Sequence, residues 1–243
     1  MLRYGFIAAG NIIRAMHRGA EMNKDYNPAE IGIYDINEEV RKDYAARGYA
    51  TFDNMKDLID NSEMLVLGVT PKVVGFIIDE LAENIRPDQV MLTVVTGVEQ
   101  AWYEEKLGKG HKVVICMPNM SSQVGEGAFA VSRSEACTDE DVDNVCAILK
   151  SCGLVEEIPD GMMAEILPFN GSAPGFFYHI ANLMVKEAEE LLEKYDIDPT
   201  IRNVPRDSSM IGTVLPVVLT GAILIFFFMM MNRQMSGGGG SNA

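Results

Sequence analysis

The hydrophobic positions in the first part of the chain form short continuous runs separated by amphipathic stretches. The apolar runs occupy residues 2–8, 31–35, 64–69, 89–95 and 111–117. After the first run, apolar residues recur at helical spacing, at Ile12, Ile13, Met16 and Ala20. Continuous apolar strands that alternate with helices are typical of a mostly parallel sheet covered on both faces. The pattern therefore predicts a doubly wound α/β fold.

The alternation fades after about residue 157, where helical patterns replace it. Residues 138–153 are predicted as a helix, because Thr138 is a preferred N-cap residue and Gly153 is a stop signal. Residues 154–159 are predicted as the last strand. From residue 172 a long helical segment has apolar residues on more than one face, which indicates packing against other helices. This segment predicts a helical domain that forms a homodimer.

The composition changes again near the C-terminus. Residues 208–231 contain no charged residue and are long enough for a helix that spans a bilayer with some tilt. The alternative is a buried core helix. A Gly/Ser-rich tail follows. We therefore predict an α/β domain, a truncated helical dimerisation domain, a hydrophobic transmembrane helix with possible membrane contact, and a tail, at residues 1–158, 159–207, 208–231 and 232–243.

Charge and cysteine content exclude two classes of function. The chain carries 35 acidic against 20 basic residues, a formal net charge of −15, so it repels the phosphate backbone of nucleic acids. The four cysteines form no CxxC pair and have no histidine at metal-ligand spacing, so we predict free thiols and no metal site. With no signal peptide in the sequence, we expect a cytoplasmic domain, with the C-terminal helix as its membrane anchor.

The first strand–turn–helix is where a Rossmann-like fold would hold a dinucleotide. Phosphates bind backbone N–H groups at a helix N-terminus, next to a turn without obstructing side chains. The usual pattern is G-x-G-x-x-G/A, whereas this chain has Ala8, Ala9, Gly10, Asn11, Ile12 and Ile13. Only the middle glycine is kept. Ala8 adds a methyl group in the tight turn, and Ile13 adds bulk where the helix approaches the strand.

Asp35 ends the second predicted strand and is placed to accept a hydrogen bond from a ribose 2′-hydroxyl. A carboxylate at this position would repel a 2′-phosphate, so it slightly favours NADH over NADPH. The alternative is an ordinary surface aspartate that opens the next helix.

Five segments together resemble the pyrroline-5-carboxylate reductase family. GFIAAGNIIRAMHRG resembles the family's N-terminal GFIGAGNM, and LVLGVTPKVV resembles its V-K-P strand end. Thr96-Gly97 falls at its A-G, CMPNMSSQVGEG resembles MPNTPALVGEG, and NGSAPGFFYHI resembles SGSGPAYVF at the start of its dimerisation helix. The segments occur in family order and cover residues 1 to about 200.

The resemblance implies reduction of the cyclic imine 1-pyrroline-5-carboxylate to L-proline by NAD(P)H. It implies a pyrophosphate cradle at Ala8, Ala9, Gly10, Asn11 and Ile12. The nicotinamide side would be lined by Thr70, Pro71, Thr96 and Gly97, with Met117, Pro118 and Asn119 below it. The substrate carboxylate would lie on Asn170, Gly171 and Ser172 at a helix N-terminus. No catalytic residue is assigned.

Several positions depart from the family pattern. Thr70 replaces a usual lysine and Ile115 a usual arginine, so two cations are missing near anionic ligands. The family's later S-P-G-G-T-T loop, which contacts substrate, is absent, and impaired turnover is therefore expected. One alternative is a non-catalytic dinucleotide-binding module tethered to a membrane.

Another alternative is a chimeric reading frame with no native function. Residues 215–243 resemble the second transmembrane helix and glycine-rich linker of the FtsH family of membrane-bound proteases, although no Walker A or HExxH motif is present. In that family the chain enters this helix from the outer side of the membrane, and the C-terminal end of the helix lies in the cytoplasm. A preceding cofactor-binding domain demands the opposite orientation.

Overall fold

The computed structural model describes residues 1–195 of the 243-residue chain. Its internal contacts divide the chain into two compact units, Met1–Lys186 and Glu187–Ala243. The predicted transmembrane helix at 208–231, the tail at 232–243 and the end of the predicted helical domain lie outside the described residues. Over residues 1–195, no helix combines the length and the hydropathy needed to cross a bilayer.

Eight strands of the first unit form one sheet. They are β1 (Leu2–Ile7), β2 (Ile31–Tyr34), β3 (Ala50–Phe52), β4 (Ser62–Leu67), β5 (Val90–Thr93), β6 (Lys112–Met117), β7 (Gly127–Arg133) and β8 (Gly153–Glu157). Their order is β3-β2-β1-β4-β5-β6-β7-β8. All neighbours run parallel except β6 and β7, which are antiparallel. The first six strands have the 3-2-1-4-5-6 order of a doubly wound dinucleotide-binding sheet.

The connections between strands are mostly helical. The α-helices are α1 (Asn11–Ala20), α2 (Glu38–Ala46), α3 (Met55–Asp60), α4 (Pro71–Asn84), α5 (Gln100–Leu107), α6 (Asp139–Lys150), α7 (Met163–Leu167) and α8 (Ala173–Lys194). Asn37 and Asn54 cap α2 and α3 by accepting backbone N–H groups, and Thr138 and Asp141 form a capping box on α6. These caps satisfy N–H groups that have no partner within the helix.

Both faces of the sheet are packed, which explains why the strands are continuously apolar. Side chains of successive residues point to opposite faces of a strand. Phe6 and Val66 accordingly belong to one buried cluster, whereas Ile7 and Leu65 belong to the other. The predicted doubly wound, mostly parallel α/β fold is confirmed.

The sequence pattern missed strands β3 and β7 and helices α3 and α7, and it misplaced one boundary. Strand β3 and helix α3 are too short for a periodicity to show. Strand β7 runs antiparallel because only a 3₁₀ turn, Met120–Val124, connects it to β6, and a parallel return needs a longer crossover. The prediction that Gly153 ends the α6 helix was wrong. The helix ends at Lys150, and Gly153 begins β8 with its α-carbon side packed against the Gly127 backbone, where a Cβ would not fit.

Helix α8 begins at Ala173, as the long apolar segment predicted. None of its residues is buried in the monomer, and large apolar side chains on its first turns are exposed. They are Phe176, Phe177, Ile180, Leu183 and Met184.

Candidate functional site

The turn between β1 and α1 presents bare backbone at the carboxyl edge of the sheet. No side chain caps the N-terminus of α1, whose N-cap is Gly10. A Cβ built on Gly10 would meet nothing closer than the Gly68 carbonyl oxygen at 3.9 Å, so the space in front of this glycine is open. An open backbone at a ten-residue helix N-terminus is the geometry that binds pyrophosphate. The residues of this turn therefore fit a dinucleotide.

Ala8 adopts the left-handed backbone conformation that the usual first glycine of the motif would provide. Its φ is 70°, and among residues 1–195 no other non-glycine residue has a positive φ. Its N–H donates to the Tyr34 carbonyl at 2.8 Å, which holds the turn against the end of β2. The turn thus keeps its shape despite the methyl group, at the cost of backbone strain.

Ile13 does not obstruct the approach of α1 to the sheet, contrary to what the sequence suggested. The side chain is fully buried, and Gly68, just after β4, makes room for it. A Cβ on Gly68 would lie 2.5 Å from Ile13 Cγ1 and 3.0 Å from the Ala8 carbonyl oxygen. Close packing of α1 on the sheet therefore depends on Gly68, after β4, instead of on a glycine in α1 itself.

Asp35 lies at the end of β2 and is tied to the phosphate turn. Its Oδ2 accepts the Ala9 N–H at 2.9 Å, and its Oδ1 accepts the Asn37 N–H at 2.9 Å. A carboxylate has about four acceptor sites, so both oxygens keep capacity for a ligand hydroxyl. The structure places this residue in the cleft rather than on an unrelated surface.

A first cleft of about 260 Å³ opens at the carboxyl ends of β1 and β4, where the connection from β1 leads to β2 on one side and the connection from β4 leads to β5 on the other. This is the switch point at which doubly wound sheets bind their ligands. Of the predicted residues, Ala8, Gly10, Asp35 and Thr70 line it. Thr70 occupies the N-cap position of α4 without a side-chain capping hydrogen bond, and Pro71 is the first residue of that helix. The other residues that line it were not selected from the sequence, and they are Ile7, Tyr34, Ile36, Met55, Gly68, Val69, Val73, Ile77 and Glu80.

A second cleft of about 330 Å³ lies at the carboxyl ends of β5 and β6, on the same edge of the sheet. It is lined by Thr96 and Gly97, which the resemblance puts on the nicotinamide side, and by Met117, which it puts below. Thr70, expected on the same side as Thr96, lines the first cleft instead. Two carboxyl-bearing residues, Glu99 and Asp160, also line this cleft and were not predicted. Asp160 Oδ1 accepts the Ser132 hydroxyl at 3.1 Å. No signal in the sequence placed these two beside Thr96.

The MPN and NGS segments meet through two asparagines. Asn170 Nδ2 donates to the Met117 carbonyl at 2.7 Å and to the Ala128 carbonyl at 3.1 Å. Asn119 is buried, its Oδ1 accepts the Ala128 N–H at 3.3 Å, and its Nδ2 donates to Asn170 Oδ1 at 3.5 Å. These amides hold the end of β6 against the chain segment that leads into α8.

The expected position of Asn170, Gly171 and Ser172 at a free helix N-terminus was wrong. These residues form the end of a π-helical turn, Pro168–Ser172, that joins α7 directly to α8. Helical backbone runs on through Ala173, so its N–H groups have helical partners and no helix dipole ends here.

Removing the Asn170 amide should loosen this junction. For Asn170→Ala we expect a loss of about 1–2 kcal/mol in the free energy of unfolding, because two carbonyl oxygens lose their donor. Urea denaturation measures the effect. Ser172→Ala, in the same turn and exposed, is the matched control and should stay within about 0.5 kcal/mol of wild type. Equal losses for the two variants would contradict the role of the amide.

Buried ionisable groups near the sheet are held in their neutral forms. Burial raises the pKa of Cys116 well above its usual value, and nearby Cys146 and Cys152 add to the shift. Burial raises the pKa of Tyr103 to about 12, although its hydrogen bond with Thr93 lowers it. Burial lowers the pKa of His17 on α1 to about 3, helped by the Arg47 charge. None of these three has a pKa near 7, where general acid–base catalysis is most effective.

Replacing Ala8 with glycine should relieve the strain of the turn. We expect Ala8→Gly to raise the free energy of unfolding by about 0.5–1 kcal/mol, because glycine adopts positive φ without steric cost while the unfolded chain gains some entropy. Ala9→Gly is the control, since Ala9 is buried and has no positive φ, and it should destabilise. A stability loss for Ala8→Gly equal to that of the control would show that the turn is unstrained.

The strand order, the bare helix N-terminus and the carboxylate at the end of β2 together define a class. They are the features of Rossmann-fold oxidoreductases that use a nicotinamide dinucleotide. The sequence model of a family described as "NADP oxidoreductase coenzyme F420-dependent" matches residues 3–97 of this chain.

The similarity extends to pyrroline-5-carboxylate reductases. The chain is 27% identical to the pyrroline-5-carboxylate reductase of Methanosarcina acetivorans over 187 residues, which cover 76% of this chain and 69% of the relative. It is 30% identical to the pyrroline-5-carboxylate reductase of Mycobacterium tuberculosis over 152 residues. This match covers 60% of this chain and only about half of the relative, 52%. The resemblance inferred from the five sequence segments is confirmed.

Solved structures show the same fold. The pyrroline-5-carboxylate reductase of Coxiella burnetii superposes with a TM-score of 0.69 at 19% identity, over 96% of this chain and 95% of that one. The pyrroline carboxylate reductase of Plasmodium falciparum, solved with NADP bound, gives a TM-score of 0.67 at 18% identity, over 95% and 93%.

Proposed function

We propose that this chain binds NAD(P)H and reduces 1-pyrroline-5-carboxylate to L-proline. The observation that carries the proposal is the first cleft, which joins the bare N-terminus of α1, Asp35 and Gly68 at the switch point of the sheet. The similarity to curated reductases supports this reaction over other dinucleotide chemistry.

The residues that would hold the cofactor are those predicted from the sequence. The turn from Ala8 to Ile12 would receive the pyrophosphate, and Asp35 the ribose. Thr70 and Pro71 would border the first cleft, and Thr96, Gly97 and Met117 the nicotinamide end. Pro118 and Asn119 would lie below the nicotinamide. Because the Asn119 side chain is hydrogen-bonded to Asn170 and Ala128, we propose that it positions these neighbours rather than contacting the cofactor.

The bound dinucleotide supplies a hydride to the imine carbon, and the imine nitrogen gains a proton. The chain's contribution is to position the imine in the second cleft and to stabilise its protonated, cationic form. Glu99 and Asp160 bring negative charge to that cleft. Asn170 uses both amide hydrogens on carbonyl oxygens, and the backbone N–H groups of this π-helical turn have helical partners. Of Asn170, Gly171 and Ser172, the serine therefore keeps a donor, its hydroxyl, for the substrate carboxylate.

We also propose that residues 159–207 begin a separate helical domain through which two copies associate, after a dinucleotide-binding domain at 1–158. The exposed apolar side chains on the first turns of α8 support this homodimer, because a solvated monomer rarely exposes such a continuous apolar face.

The test is a reduction assay on the full chain with 1-pyrroline-5-carboxylate and either reduced dinucleotide. We expect L-proline to accumulate in equal amount to the dinucleotide oxidised. Saturable dinucleotide binding without proline would instead identify a non-catalytic binding module, an outcome that the neutral Thr70 and Ile115 favour. Absence of both binding and turnover would reject the proposed function.

A further inference from the structure

We propose that two carboxylates in the first cleft, Asp35 and Glu80, make this chain selective for NADH against NADPH. The inference rests on the proposed function, because it concerns the dinucleotide that the same cleft would bind. The solved Plasmodium falciparum relative contains NADP, so the selectivity would be a property of this chain's own residues.

Asp35 is held in one orientation by the backbone around it. Its two oxygens accept the Ala9 and Asn37 N–H groups, both at 2.9 Å, so the carboxylate cannot turn out of the cleft without losing two hydrogen bonds. A fixed carboxylate accepts a hydrogen bond from a ribose 2′-hydroxyl. It repels a 2′-phosphate, which carries negative charge and has no hydrogen to donate at neutral pH.

Glu80 adds a second negative charge to the same cleft. It lies on the exposed side of α4 and lines the cleft with Val73 and Ile77, two apolar neighbours on that helix. In the part of the chain that the structure describes, Glu80 has no ion-pair partner. Its charge is therefore not neutralised by a neighbouring side chain. No lysine or arginine is among the described residues that line this cleft.

Arg41, the cation nearest to Asp35 along α2, is already engaged. Cofactor sites that accept a 2′-phosphate commonly place an arginine near this position. Here Arg41 Nη1 donates to the Asp35 carbonyl oxygen at 2.6 Å, and Nη2 pairs with Asp53 Oδ1 at 3.2 Å. Its side chain is only 17% exposed. A phosphate would have to draw it away from both acceptors.

The experiment is a titration of the full chain with NADH and with NADPH. We expect NADH to bind at least about tenfold more tightly, and the ratio to narrow as salt screens the two carboxylates. Glu80→Gln should strengthen NADPH binding roughly three- to tenfold and NADH binding by a smaller factor, because NADH lacks the 2′-phosphate charge. Glu83→Gln makes the same charge change one turn away, outside the cleft, and should leave the ratio within about twofold.

Each outcome decides the inference. NADPH binding as tight as NADH in wild type would overturn it and would mean that Arg41 turns to the phosphate. A Glu80→Gln effect no larger than that of Glu83→Gln would remove Glu80 from the selectivity. Binding of neither dinucleotide would overturn both this inference and the proposed function, whereas tight but unselective binding would overturn this inference alone.

Discussion

Gly68→Ala is expected to destabilise the protein by about 2–3 kcal/mol and to weaken dinucleotide binding. The added methyl group would lie 2.5 Å from Ile13 Cγ1 and 3.0 Å from the Ala8 carbonyl oxygen. Ile13 is fully buried and has no room to retreat, so α1 must shift away from β4. That shift displaces the helix N-terminus that forms the phosphate turn. Urea denaturation and titration with NADH measure the two effects.

A double-mutant cycle tests whether Ile13 is the cause. Ile13→Ala alone should cost about 2–4 kcal/mol through lost burial and a cavity. In the Ile13→Ala/Gly68→Ala protein the clashing Cγ1 is absent, so the combined loss should be smaller than the sum by about 1–2 kcal/mol. Gly110→Ala, where a Cβ meets no atom within 4 Å, is the control. Additive losses would show that the two residues do not compensate each other.

Gly10→Ala is expected to separate cofactor binding from stability. A Cβ on Gly10 has open space in front of it, and its φ of −67° suits any residue, so the free energy of unfolding should change by less than about 1 kcal/mol. The same methyl group would stand where the pyrophosphate approaches the backbone. We therefore expect the Kd for NADH to rise at least about tenfold.

Gly75→Ala provides the matched comparison for this variant. Gly75 lies within α4, and a Cβ there meets no atom within 4 Å. Alanine in a helix interior should stabilise the protein by up to about 1 kcal/mol without affecting NADH binding. If Gly10→Ala bound NADH as tightly as wild type, the phosphates would have to lie elsewhere.

The sequence predicts most of the sheet, because buried parallel strands are continuously apolar and helix caps have distinct residue types. It does not reveal elements whose existence depends on neighbours. Strand β3 has only three residues and pairs with β2 at the sheet edge. Strand β7 is antiparallel because of the short turn before it, a constraint of chain length that periodicity does not show. The π-helical turn at Asn170 likewise depends on contacts with β6 and β7.

In the candidate site, too, some residues could be predicted from the sequence and others could not. Gly10 and Asp35 could be selected as candidates from the sequence, because each lies at the end of an apolar run and precedes a helical segment. The compensation of Ile13 by Gly68 could not be predicted, since the two residues are distant in sequence and meet only after β1 and β4 pair. Glu80 was missed for a similar reason, because nothing local distinguishes it from Glu83 on the same helix.

Transfer of deuterium from labelled NADH tests the central claim most directly. The full chain would be incubated with 1-pyrroline-5-carboxylate and NADH in which both hydrogens of the hydride-donating carbon are replaced by deuterium, and the product analysed by mass spectrometry and NMR. We predict L-proline with one deuterium on the former imine carbon, formed more slowly by the Gly10→Ala protein at limiting NADH. Unlabelled proline, or no proline above the level without protein, would contradict the account.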